Sequence, residues 1–201
     1  MRIVLASGSP RRRALLAALG IEIEVIPSGA QEIDEGDTPE RIVIENAKRK
    51  RDDVVGGLDS PALVIAADTL VFLDGRVLSK PNDIDDARAM LRRLSGRTHD
   101  VLTGIAVTDA HSGRSAEGYE RTGVTFCDLS DAEIGHFVHA VKPLDRAGAY
   151  TVDGPGSLLV ARYDGCYQNV LGLPMVRLQK LLLDLGHDLF ELMDGPRSVF
   201  L

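Results

Sequence analysis

The stretch ALVIAADTLVFLDGRVL, residues 62–78, constrains the fold of this chain more than any other. Ala62 to Ala67 form an apolar run with no polar interruption, which fits a strand buried on both faces. The apolar character resumes at Leu70 and stops at Asp74-Gly75. An Asp-Gly pair between apolar runs predicts a two-residue hairpin turn, with the chain returning as Arg76–Lys80. A central strand of this kind requires a sheet around it, yet Asp68 and Thr69 sit in its middle. A buried carboxylate must be neutralised, paired, or bound to a cation. Hairpin register carries Lys80 back opposite Thr69, beside Asp68, before Pro81 ends the ladder. Two readings follow. One is a structural Asp–Lys pair. The other is an active-site cluster at the end of a buried strand.

The flanking sequence supplies the rest of a mixed sheet. Residues 2–6 read as a short buried strand, and Pro10–Leu19 as a helix stopped by Gly20. Residues 21–27 alternate as a half-exposed strand. Thr38 and Pro39 predict an N-cap and first turn for a helix reaching Val55. A helix starts at Asn82. Strands over 99–109 and 119–127 surround a polar loop, and an amphipathic helix covers 130–141. Residues 157–163 read as a strand and Pro174–Leu185 as a last helix. Strands and helices do not alternate strictly, so the expected class is α/β with a mixed sheet flanked by helices. No repeat or linker divides the chain; the expectation is one domain over 1–186 and a tail, 187–201, without clear periodicity.

Charge and cysteines exclude several function classes. The formal net charge of −7 argues against a dedicated nucleic-acid or membrane-surface binder. Cys127 and Cys166 form no CxxC pattern, so a disulfide framework or a cysteine zinc site is not expected, and a reducing cytoplasm fits. No apolar run reaches the roughly 18 residues of a membrane span. The start of the chain runs directly into a polar loop and does not read as a secretory signal.

The segment SGSPRRR carries an electrostatic anomaly. The helix after Asn82 has Asp83, Asp85 and Asp86 at its start and Arg92 and Arg93 at its end, as the macrodipole favours. The helix after Pro10 begins instead with Arg11, Arg12 and Arg13. A Ser/Gly loop entering a helix N-terminus offers N–H groups and hydroxyls to a phosphate, and arginine adds bidentate donors. Successive positions fan out by about 100°, so the three arginines cannot all face one ligand. Arg11, beside Ser9 and Pro10, is the one expected to touch it; Arg12 and Arg13 are expected to enrich the local field. The alternative is solvated surface charge.

Other candidates are weaker. Lys48 to Arg51 end a helix, where cations suit the dipole. Glu32, Asp34 and Glu35 could offer hard oxygen ligands to Mg²⁺ or form a solvated loop. His136 and His139 read as surface, and His99 as either surface or site. The chain contains no GxxxxGK[ST], HExxH or GxSxG motif.

Taken in order, ASGSPRR, NAKRK, AADTLV, Lys80-Pro81, LSGRTHDVLTG, DRAGAYTVDG and NVLGLP resemble the Maf proteins, over about residues 3–186. The resemblance implies an elongated, twisted, ITPase-like fold of two lobes with a central cleft. It implies a cytoplasmic nucleoside triphosphate pyrophosphatase that uses a divalent metal, Mg²⁺ or Mn²⁺, and is commonly a homodimer. By motif, Asp68 matches the proton acceptor, and Lys80 and Lys50 match lysines that hold phosphates. Ser9 and Arg11 match the phosphate loop, with Arg11 and Thr69 also at specificity positions. Asp68 and Glu32 match metal or water ligands, with Glu35 as the alternative to Glu32. Two departures stand out: Arg146 replaces a lysine, and Asp153 replaces the glutamine of the dTTP- and UTP-selective branch. A carboxylate only accepts hydrogen bonds, so Asp153 facing the base would favour donor edges and a broad substrate range. A dTTP/UTP-specific enzyme and a nucleotide-binding regulator of septum formation are the alternatives.

Overall fold

The computed structural model describes residues 1–36 and 38–193. The strands are β1 (Ile3–Leu5), β2 (Glu24–Val25), β3 (Leu63–Leu73), β4 (Arg76–Leu78), β5 (Thr98–Asp109), β6 (Arg114–Phe126) and β7 (Val160–Asp164). The helices are α1 (Pro10–Ala17), α2 (Pro39–Gly56), α3 (Ile84–Leu94), α4 (Asp131–Val141), α5 (Tyr167–Leu171), α6 (Met175–Leu185) and α7 (Leu189–Leu192). All the strands join one mixed sheet in the order β2-β1-β3-β5-β6-β7, with β4 also on β3. The expected α/β class with a mixed sheet stands.

Strand β3 is the axis of the molecule. One edge pairs antiparallel with β5 from Leu63 to Phe72. The other edge changes partner along its length. Leu63–Ile65 pair parallel with β1, and Val71–Leu73 pair antiparallel with β4. Between those two ladders the edge is unpaired by any strand, and Asp68 and Thr69 lie in that gap. The apolar clusters break at the same place. On one face Leu63, Ile65 and Ala67 belong to one cluster and Val71 and Leu73 to another. On the other face Val64 and Ala66 are separated in the same way from Leu70 and Phe72. Asp68 and Thr69 therefore interrupt both faces at one height. Side chains alternate across a strand, so the two residues address opposite faces of this break.

Helix α2 is held close to the sheet by an absent side chain. Gly104 on β5 is paired with Asp68, and a Cβ placed on it would lie 2.2 Å from the Val43 carbonyl oxygen. Backbone cannot yield to such a contact, so only glycine lets α2 lie this near. The buried face of α2 carries Ile42, Val43, Asn46 and Ala47, and Lys50 continues it one turn on.

Several boundaries differ from the sequence reading. Only Glu24–Val25 are paired with β1, with the Ile26 N–H donating to the Leu5 carbonyl beyond them, and Arg2 gathers Glu24, Asp59 and Ser60 at the sheet's edge. The β5–β6 hairpin is tighter than expected, with Asp109 opposite Arg114. The Asp109 carboxylate closes this turn by accepting from His111 N and Ser112 Oγ. Gly154–Leu159 forms a 3₁₀ segment with Pro155 in its first turn, and the strand starts only at Val160. Asp83, not Asn82, caps α3, its carboxylate accepting from Asp86 N. The tail docks through α7: Leu189 is buried, and Gln179 bonds both Asp188 and the Leu189 N–H. The remainder of the tail lies outside the described residues. Among the described residues no helix is long and apolar enough to cross a membrane.

Candidate active site

The gap in the β3 edge opens into a cleft of about 800 Å³. On its α2 side the chemistry converges on one ammonium. Lys50 Nζ lies 2.6 Å from Asp68 Oδ1 and 2.6 Å from Glu32 Oε1. The second oxygen of Asp68 accepts from Asn46 Nδ2 at 2.9 Å. Asn46 is fully buried and locked in turn, because it also donates to the Ile33 carbonyl and accepts from the Ile33 N–H, each at 2.8 Å. That pair of bonds fixes the loop that carries Glu32. Asp68 keeps only 5% of its side-chain surface exposed, while Glu32 keeps 49%. The buried carboxylate is thus oriented by an amide and paired with an ammonium.

The other side of the cleft is built on α1. Ser9 is the N-cap of α1 but makes no side-chain cap, so its hydroxyl is left for the cleft. Arg11 lines the cleft and is half-buried, and Arg13 is exposed. Arg12 is the buried arginine, only 8% exposed. Its Nε donates to the Gly172 carbonyl at 2.8 Å, Nη1 to Ser7 Oγ at 2.9 Å, and Nη2 to Thr69 Oγ1 at 3.0 Å. Burial pulls the Arg12 guanidinium below its ordinary pKa; Asp68 and Glu32 oppose that shift, and Arg11 adds to it. The expectation that Arg12 only enriches the field is corrected. It is a structural member of the cleft wall. Its spacing to the buried Leu15 and Leu16, three and four residues on, is the sequence signal that places it on the inner face.

The remaining predicted residues divide. Lys80 lines the cleft, but the β3–β4 ladder ends at Val71 and Leu78, so Lys80 stands exposed beyond it. Among the described residues Lys80 has no ion pair, and the lysine that pairs with Asp68 is Lys50 rather than Lys80. Arg146 lines the cleft too. Its Nε and Nη1 are buried without a hydrogen bond, and Asp145 at 3.5 Å is its only ion pair among the described residues. Thr69 lines the cleft. Asp153 does not: it is exposed, and its carboxylate accepts from the hydroxyl of Thr151, which is in the wall. Glu35 lines a separate, smaller pocket with Gly36 and Arg76. The cleft takes Glu32 and Asp34 instead.

Asn46, Gly104 and Tyr150 belong to the site and escaped the sequence reading. Asn46 was legible as the residue one helical turn before Lys50. Tyr150 lines the cleft, and its hydroxyl meets His99 Nε2 at 2.7 Å. His99 is therefore buried, and burial pushes it down to about 4. Burial pushes the Tyr150 phenol above its ordinary value.

The family model described as Maf-like protein matches residues 2–185. A dTTP/UTP pyrophosphatase of Caldicellulosiruptor bescii is 45% identical over 194 residues, covering 94% of this chain and 98% of its own. One of Moorella thermoacetica is 46% identical over 190 residues, covering 94% and 97%. One of Pelotomaculum thermopropionicum is 45% identical over 187 residues, covering 92% and 97%. Among solved structures, the Ham1 protein of Staphylococcus aureus covers 64% of this chain and 73% of its own, with a TM-score of 0.44 and 16% identity. The sequence motifs, the cleft they line and a match that spans nearly the whole chain lead to one assignment: the chain belongs to the Maf-like protein family.

Proposed function

We propose that this protein is a nucleoside triphosphate pyrophosphatase that hydrolyses dTTP and UTP to the monophosphate and pyrophosphate. The observation that carries the reading is the Lys50 ammonium held between Asp68 and Glu32 in a cleft rimmed by cations. A protein that only bound nucleotides would have no need of an oriented, buried base. The expected broad substrate range rested on Asp153 facing the base. Asp153 lies outside the cleft wall, and relatives covering the whole fold carry the dTTP/UTP name, so the narrower range is preferred.

The roles follow from position. Arg11, the free Ser9 hydroxyl and the N-terminus of α1 receive phosphate oxygens on one side. Arg146 and Lys80 approach from the other and offset the charge that builds on the departing pyrophosphate. Asp68 takes a proton from water as the water oxygen bonds to the α-phosphorus. The bond from that phosphorus to the bridging oxygen breaks, and pyrophosphate leaves with the electron pair. Lys50, 2.6 Å away, holds Asp68 in place.

The residues also fit a divalent cation. Asp68 and Glu32 already aim carboxylate oxygens at one positive charge, and Mg²⁺ is commonly held by one or two carboxylates plus substrate phosphates. Among the described residues no three acidic, histidine or cysteine side chains form a complete cage, so substrate oxygens would complete the shell. Such an ion supplies charge neutralisation at the phosphates and a more acidic water.

Hydrolysis in ¹⁸O-labelled water tests the chemistry. Attack at the α-phosphorus puts the label in the monophosphate. Label in the pyrophosphate would place attack at the β-phosphorus and overturn the assignment.

A further inference from the structure

The two sides of the cleft suit different parts of a nucleotide. Charged groups surround Asp68. On the opposite face Thr69 stands in an apolar wall, with Val71 and Val101 from the sheet and Val170 and Leu171 from α5. A triphosphate belongs with the charges. A nucleobase, apolar on its faces and polar at its edge, belongs against the valines and Leu171. The hydroxyl of Thr69 is the polar group that such an edge meets.

The direction of that hydroxyl's proton can be read from its neighbours. Thr103 is paired with Thr69 across β3 and β5, and the two oxygens are 2.9 Å apart. Thr103 Oγ1 donates to the Asn169 carbonyl at 2.9 Å. A hydroxyl has one proton, so Thr103 has none left for Thr69. Thr69 must donate to Thr103. Arg12 Nη2 is only a donor, and it points at Thr69 Oγ1 from 3.0 Å. Thr69 therefore meets the cleft with a lone pair and no proton. The chain of bonds is rigid from behind. Asn169 Nδ2 donates to the Val101 carbonyl and to Thr122 Oγ1, both at 2.9 Å, and Thr103, Thr122 and Asn169 are fully buried. Gly172, which follows α5 with φ 106°, brings its carbonyl to Arg12 at a point where a Cβ would lie 3.3 Å from Thr69 Oγ1.

We propose that Thr103 is a positioning residue for substrate specificity. By taking the proton of Thr69 it sets an acceptor beside the Arg12 donor, and this pair complements the C(=O)–N–H edge of uracil and thymine. Cytosine presents a lone pair at the ring nitrogen where uracil presents N–H, so in cytidine nucleotides two lone pairs face each other. Guanine shares the uracil edge; the relay separates uridine from cytidine, not pyrimidine from purine. The inference rests on the pyrimidine reading of the site given above.

The test compares Thr103→Val and Thr103→Ser with the unsubstituted protein. The readouts are the UTP-to-CTP ratio of kcat/KM and the UMP-to-CMP ratio of affinities by calorimetry. Thr103→Val frees the Thr69 proton, and both ratios should fall at least about tenfold. Thr103→Ser keeps the relay, and both ratios should stay near their original values. A valine variant that loses thermal stability but keeps both ratios overturns the proposal, as does a serine variant that behaves like valine. Equal affinity of the unsubstituted protein for UMP and CMP also overturns it. The binding arm needs no turnover: a protein that prefers UMP but leaves UTP intact refutes the proposed hydrolysis and sustains the role of Thr103.

Discussion

Lys50 and Asp68 form a 2.6 Å ion pair in which the lysine keeps 12% and the aspartate 5% of their side-chain surface. Glu32, at the same distance from the lysine, is far more open. The pair is thus a buried contact with one solvent-facing companion, and each member depends on the other's charge.

Removing the lysine strands the carboxylate. Lys50→Met should lower unfolding free energy by about 3–5 kcal/mol, the usual cost of leaving one buried charge unpaired. The double variant Lys50→Met with Asp68→Asn should recover much of that loss, because the only charge left is Glu32, which is open to solvent. Urea denaturation of the two variants and the unsubstituted protein decides it. A double variant as unstable as the single one would show that packing, not charge, sets the cost.

Gly104→Ala drives a methyl group into the Val43 carbonyl, 2.2 Å from where the new Cβ must sit. Overpacking of this kind costs about 1–3 kcal/mol. The displaced element is α2, which carries Asn46 and Lys50, so kcat should fall more steeply than substrate affinity. Melting temperature and steady-state kinetics together measure this. A stable variant with unchanged kcat would mean that α2 can move without disturbing Asp68.

Much of this was legible from residue order. The Asp-Gly turn fixed the β3–β4 hairpin, and the polar break at Asp68-Thr69 in an apolar run marked the cleft. The role of Lys50 came from the family resemblance, since cations at a helix C-terminus have an ordinary explanation. Asn46 and Arg12 were hidden differently. Each is a polar residue on the buried face of a helix, and apolar periodicity ignores polar members of a stripe. Gly104 and the Thr103 relay depend on which β5 residues face Asp68 and Thr69, and register across strands separated by 34 positions is not visible in either strand alone. Asp153 was singled out by the family resemblance, at the position of a glutamine; its exposed side chain lies beside Thr151 and outside the cleft wall.

His99 makes stability pH-dependent. Its imidazole titrates near 6.5 when unfolded and about 4 when folded, because burial disfavours the charged form. Between those values the unfolded chain binds more protons, so acid favours unfolding. The contribution of neutral His99 is fully present above pH 6.5 and is lost as pH falls toward 4. The total is about 3 kcal/mol. Unfolding free energy measured between pH 7 and 4 should lose less in His99→Gln than in the unsubstituted protein. Parallel pH curves for the two would remove His99 as the cause.

Chelation should stop turnover, and Mg²⁺ or Mn²⁺ should restore it. Glu32→Gln keeps the size of the side chain but weakens a hard oxygen ligand, so the metal concentration for half-maximal rate should rise about tenfold. Lys50 still neutralises Asp68 in this variant, so its melting temperature should stay close to the original. Full activity in chelator would exclude the metal role of Asp68 and Glu32.

Pyrophosphate release from a panel of nucleoside triphosphates with Mg²⁺, run with the unsubstituted protein and with Asp68→Asn, tests the central claim. The account predicts one pyrophosphate per monophosphate, the highest kcat/KM for dTTP and UTP, and a fall in kcat of about 10²–10⁴-fold in Asp68→Asn with nucleotide binding retained. Orthophosphate in place of pyrophosphate, or full turnover by Asp68→Asn, would contradict it.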